Sequence, residues 1–168
     1  MPETSEQYKQ KIYGFLAGRD PVKLQAAAPA KLVKLLKGVP PVKARKRPAP
    51  GKWSIAEIVA HLADTEVAMG WRMRMVLGQP DEPIQPFDQD AWAAAMRYEK
   101  RDPRKSLEQY RHLREANVAL LKSLTPGDWM KSAMHPERGE QTVRTIAEMT
   151  AGHDLNHFAQ IERILAAK

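Results

Sequence analysis

Apolar residues recur every three to four positions along most of the chain, and strict apolar–polar alternation of strand length is scarce, so the pattern predicts helices. Residues 5–16 form a short amphipathic segment closed by Gly18-Arg19-Asp20-Pro21. Residues 21–36 carry Val22, Leu24, Leu32, Leu35 and Leu36 on helical spacing, with Pro29 expected to kink or break the helix and Gly38 and Pro40-Pro41 to stop it. After the linker KARKRPAPGKW, Ser54 opens a helix that runs to about residue 77. Gly78, Pro80, Pro83 and Pro86 then interrupt it, and residues 88–98 suit a short helix within this crossing. Pro103 fits the first turn of a long helix whose stripe is Leu107, Tyr110, Leu113, Val118, Leu121 and Leu124. Residues 128–140 read as a loop, and the last helix covers residues 142–166. The expected fold is all-α: a four-helix bundle with an additional short N-terminal helix, its long connections pointing away from a simple up-down series. No internal repeat or low-complexity tract is present.

Polar residues placed on these apolar faces carry the chemistry. His153 and His157 are spaced i, i+4, which stacks two imidazoles about 6 Å apart on one helix face. Ile146, Met149, Thr150, Gln160, Ile161 and Ile164 lie within about 60° of a common direction, with both histidines near its middle. Two inward imidazoles repel if both are charged, and each unsatisfied neutral ring nitrogen costs about 1–3 kcal/mol. A metal ion removes both difficulties, and a third imidazole from another helix would complete a three-histidine shell with one open position. The alternative is a pair of satisfied core histidines.

His61 is the candidate third ligand, although it lies roughly 100° from the stripe of Ile55, Ile58, Val59, Leu62, Met69 and Met73. That angle suits either a flank shared with another helix or the surface. Glu57 and Asp64 share its side and could accept a ring N–H. Ser54-Ile-Ala-Glu57 reads as a capping box, which gives Glu57 another role and leaves Asp64 as the orienting candidate. His112, between Arg111 and Arg114, reads as a surface residue. His135, in HPERG, reads as an exposed loop histidine from which a metal site could also be approached.

Composition narrows the classes. The 168 residues suit one domain, no apolar run approaches the 18 residues of a membrane span, and MPETSEQYKQ lacks a signal-peptide core, so the expectation is cytoplasmic with no membrane partner. Absence of cysteine excludes disulfides, thiolate ligands and a cysteine nucleophile together. The net charge of +7 is partly concentrated in Lys43, Arg45, Lys46, Arg47 and Lys52. Without interleaved aromatics this is a solvated basic loop, expected to bind nucleic acid weakly and without sequence preference.

Three segments, PGKWSIAEIVAHLADTE, PFDQDAW and HPERGEQTVRTIAEMTAGHDLNHFAQI, resemble the DinB-like family, particularly its YfiT-like branch of metal-dependent hydrolases. The resemblance covers the chain from about Pro21 onward, dividing it into an N-terminal extension, 1–20, and a bundle domain, 21–168. It implies a four-helix bundle holding zinc or nickel on His61, His153 and His157; Asp64 and Gln160, from their places beside those histidines on the two helices, are the candidates to orient them. It also implies an enzyme that activates water, as a hydrolase, or a low-molecular-weight thiol, as an S-transferase, toward a small-molecule substrate, since related members use bacillithiol, mycothiol or glutathione. Thiol transfer is slightly preferred, and a non-catalytic metal- or small-molecule-binding bundle is the alternative. A homodimer is expected from similar proteins and from the apolar surface of Trp71, Met73, Met75 and Val76.

Overall fold

The computed structural model describes residues 5–167 and shows why the helices begin where they do. The first is α1, Ser5–Leu16. Asp20 caps α2, Pro21–Leu36, by accepting from the amides of Val22 and Lys23. Ser54 and Glu57 form the expected reciprocal capping box on α4, Ile55–Gly78. Asp102 caps α6, Pro103–Ser123, and Thr142 caps α8, Val143–Ala166. Shorter helices lie between them: α3, Pro41–Arg45, α5, Gln89–Ala95, and α7, Pro126–Met130.

Helices α2, α6, α4 and α8 close a ring, each packed on its two neighbours, and α1 lies along α8. One apolar cluster joins Leu32, Ile58, Leu62, Phe158 and Ile161; a second joins Met73, Val76, Leu121, Ile146 and Ala147. The early part of α4 therefore meets the late part of α8 and the reverse, so the two helices run antiparallel. Between the clusters both helices carry polar residues that are nonetheless buried: Asp64, Thr65 and Glu66 on one, Thr150, Asp154 and His157 on the other. Gly152 lets α1 approach this layer. A Cβ there would stand 2.4 Å from the Ile12 carbonyl oxygen.

Arg114 is the hub of the polar layer. It is 1% exposed, although the neighbouring His112 is at the surface. Its Nε and Nη2 donate to the two carboxylate oxygens of Glu66 at 2.8 and 2.6 Å, and Nη1 and Nη2 reach both oxygens of Asp154. The Tyr110 hydroxyl also donates to Asp154. This network explains Pro29, which does not break α2. Proline lacks the N–H that would bond Gln25 four residues back, and Arg114 Nη1 lies 3.5 Å from that freed Gln25 carbonyl.

Two further expectations are corrected. Pro40-Pro41 does not only stop α2; Pro41 occupies the first turn of α3, where its missing N–H costs nothing. Residues 128–140 are no simple loop: α7 ends at Met130, and Ser132–His135 (β1) and Gly139–Thr142 (β2) form an antiparallel hairpin pairing Ser132 with Thr142 and His135 with Gly139. Its turn ends at Gly139, whose φ of +71° favours glycine. Four-residue strands offer only two inward positions each, and in β1 these are Ala133 and His135, too weak an alternation to register as a strand.

No helix among the described residues is long and apolar enough to cross a membrane. Arg47 of the basic stretch is bound to the buried Glu57 carboxylate, which removes one charge from the supposed free patch. Of the apolar residues offered as dimer surface, Met73 and Val76 are consumed by the chain's own core, while Trp71 remains 57% exposed.

Candidate metal centre

Helix α4 supplies His61 and α8 supplies His153 and His157, and the fold brings the three imidazoles together. His61 escapes the surface because α4 is enclosed on every side over residues 55–66, including its flank beside Trp53 and Tyr98. The Trp53 ring packs on the His61 ring at 4.8 Å between centroids. The Nε2 atoms converge: His61 to His153 at 2.9 Å and His157 to His153 at 3.1 Å. One ligand atom from each residue fits within a 4.8 Å group. Nitrogens bound at 2.0–2.1 Å around a tetrahedral ion stand about 3.3–3.4 Å apart, so the observed spacings are near those an ion requires.

The protons support the same fit. His157 Nδ1 lies 3.0 Å from Gln160 Oε1, so this nitrogen carries the hydrogen and Nε2 keeps its lone pair facing the other rings. Gln160 is thus the acceptor that faces His157 Nδ1. A single N–H on His153 Nε2 could serve only one of its two close nitrogen neighbours, whereas Nε2 given to a metal puts the ring proton on Nδ1, which is buried without a partner. Three rings left to themselves cannot all be satisfied. A cation at their meeting point accepts all three lone pairs, and imidazole donors suit zinc or nickel among divalent ions.

Burial is the first cause holding all three imidazoles neutral. It keeps His61 and His153 well below the ordinary histidine value, helped by the neighbouring rings, and takes His157 down to about 4, with the Gln160 contact opposing and Lys11 assisting. The unfolded chain binds protons at these rings below about pH 6.5, whereas the metal-free folded chain does not until near pH 4 at His157. By linkage, stability is full above pH 6.5 and falls as pH drops through this window, at about 1.4 kcal/mol per unit per ring. Asp154, raised by burial to about 6, opposes this as a single group. Urea unfolding of chelator-treated protein should therefore show a loss of several kcal/mol between pH 7 and 5; equal stability at both would contradict neutral burial.

Asp64 has partners on another segment. Its carboxylate accepts from Arg101 Nη1 at 2.8 Å and from the Tyr98 hydroxyl, tying α4 to the segment before α6. His112 is exposed, as expected. His135 corrects its reading: it ends β1, is 2% exposed, and lines the same cavity as His61 and His153. That cavity, about 470 Å³, is large enough for a small molecule. Thr65 also lines it, with Oγ1 3.5 Å from His61 Nε2, as do Arg72 and Arg138. The PFDQDAW and HPERG segments both contribute lining, through Phe87, Asp88, Gln89 and Glu137, and the amide of Ile84, just before the first segment, donates to the Met134 carbonyl of the hairpin. Sequence reading passed over Thr65 and Arg72. The one available signal was their spacing from His61, at i+4 and i+11 on the same helix face.

Comparison with known proteins agrees with this architecture. YfiT of Bacillus subtilis, which carries the name "Putative metal-dependent hydrolase", is 28% identical over 115 residues, 68% of this chain and 65% of that protein. A relative of the same functional name from Oceanobacillus iheyensis is 27% identical over 119 residues, 70% of this chain and 68% of its own length. The chain thus spans about two thirds of these relatives, and just under that of YfiT. The solved structure of YfiT, described as a "probable metal-dependent hydrolase with an unusual four-helix bundle topology", superposes with a TM-score of 0.80 over 96% of this chain and 87% of that one, at 23% identity. That likeness establishes the fold. A sequence model of the DinB superfamily matches residues 25–161, spanning all four bundle helices from α2 to α8, and the chain belongs to that superfamily.

Proposed function

We propose that the protein is a metal-dependent hydrolase of small molecules, with His61, His153 and His157 holding one zinc or nickel ion. The observation that carries the reading is the convergence of three neutral Nε2 atoms beside a solvent-open cavity that His61 and His153 line. A divalent ion on three imidazoles supplies Lewis acidity at an open position, lowering the pKa of water and polarising a carbonyl. The chain's own residues do the remaining work. Gln160 fixes the tautomer of His157, Trp53 holds the His61 ring by packing, and burial keeps the imidazoles from protonating at neutral pH. The Thr65 hydroxyl, beside His61 Nε2, is placed to hydrogen-bond an incoming nucleophile. Hydrolysis places the water oxygen on the electrophilic centre and a proton on the leaving group, so no protein nucleophile is needed, consistent with a chain that has no cysteine.

The names of the relatives favour water over a low-molecular-weight thiol as nucleophile. The test is a parallel assay of the metal-loaded protein: esters, amides and lactones in one panel, and thiols with the electrophile monochlorobimane in the other. Hydrolytic turnover should appear and be lost both in His61→Ala and on chelation. Turnover only in the thiol panel would move the reading to S-transfer, and no metal-dependent turnover in either would favour a binding protein.

A further inference from the structure

The cavity that His61 and His153 line also holds two buried cation or donor groups that the metal does not use. Arg72 is 4% exposed, yet no carboxylate lies within ion-pair distance of it among the described residues. Its Nε and Nη2 donate to the Gln85 carbonyl at 3.3 and 2.8 Å, and its guanidinium packs over the Phe87 ring. These contacts aim it without neutralising it. Nη1 has only the Met69 sulfur, at 3.9 Å, which is a weak acceptor. By contrast, Arg114, the other deeply buried arginine, has two carboxylates.

His135 repeats the pattern. The Glu137 amide donates to its Nδ1 at 3.2 Å, so the ring proton sits on Nε2, and that buried N–H has no partner. A buried donor without an acceptor costs about 1–3 kcal/mol, and a buried unpaired charge costs more. Both residues line the one cavity, and the exposed Arg138 adds positive charge at its rim. Of the acidic side chains there, Asp88 caps α5, and Glu137 is exposed at the rim, where its charge is felt by Arg72 and His135 but forms no ion pair with either.

From this arrangement we infer that Arg72 and His135 form a subsite for the carboxylate of the substrate, so that the protein acts on small carboxylic acids with the scissile bond turned toward the histidines. Two donor groups match the two oxygens of a carboxylate, and hydrogen bonds to a charged group are the stronger kind. What the subsite serves rests on the hydrolase reading; the subsite itself does not depend on a metal.

The test is calorimetric titration of the full-length protein, as purified and after chelation, with sodium benzoate and with neutral benzamide. Benzoate should bind at least 10-fold more tightly than benzamide in both preparations. His135→Leu and Arg72→Met should each lose about 10-fold or more of the benzoate affinity while retaining wild-type metal content. Because Arg72 also holds Gln85, Arg72→Lys provides a folded variant that keeps the charge and loses the planar fork; it too should bind benzoate more weakly. Equal binding of benzoate and benzamide, or benzoate affinity that is lost on chelation but unchanged in all three variants, would overturn the subsite. Loss of metal in His153→Ala together with intact benzoate binding would leave it standing, so the two readings fail separately.

Discussion

Replacing Arg114 with methionine is expected to lower the unfolding free energy by about 3–5 kcal/mol, a large fraction of the roughly 5–15 kcal/mol of a typical domain. The size follows from what remains. Glu66 and Asp154 are both almost fully buried, and Arg114 is the cation bonded to both. Without it, two carboxylates stay buried side by side with no cation, which favours proton uptake by one of them. Gln25 would lose its contact opposite Pro29, and Asn117, which donates to Glu66, would be left bonding an uncompensated charge. Urea unfolding at pH 7 measures the effect. A loss below 1 kcal/mol would show that the network does not hold the polar layer together. Adding Glu66→Gln and Asp154→Asn to Arg114→Met should recover part of the stability, because the penalty comes from unpaired charge and not from missing packing.

His153→Ala is expected to reduce zinc or nickel affinity by a factor of 100 or more. His153 Nε2 makes both close contacts of the cluster, so its removal leaves His61 and His157 without the nitrogen that joins them. Gln160→Leu should have a smaller effect, about 10–100-fold, since it removes only the acceptor that fixes the His157 tautomer. That order separates ligand from orienting residue. If Gln160→Leu weakened binding more than His153→Ala, the assignment of roles would be reversed.

Much of this fold was legible because helical periodicity and capping are local. Ser54 with Glu57, Asp20 before Pro21 and Pro103 in a first turn each announce an end within four residues. The inward pair His153 and His157 was legible for the same reason, as it lies on one helix face. What sequence reading missed depends on partners distant in the chain. The burial of Arg114 depends on Glu66 and Asp154, 48 and 40 positions away. Pro29 looks like a break until Arg114 reaches the carbonyl it frees. His61 sits off its helix's apolar stripe, and becomes buried only because neighbouring segments cover α4 all round. His135 looked like a loop residue because a four-residue strand carries too short an alternation, and Asp64 looked free until Arg101 and Tyr98 were seen to claim it.

The most direct check is metal content. Untagged protein, purified without added metal and dialysed, should retain about one zinc or nickel per chain by elemental analysis, and the triple variant His61→Ala, His153→Ala, His157→Ala should retain essentially none while keeping its helical circular dichroism. Wild-type protein that holds no more divalent metal than the folded triple variant, and binds added zinc and nickel no more tightly, would contradict the metal centre.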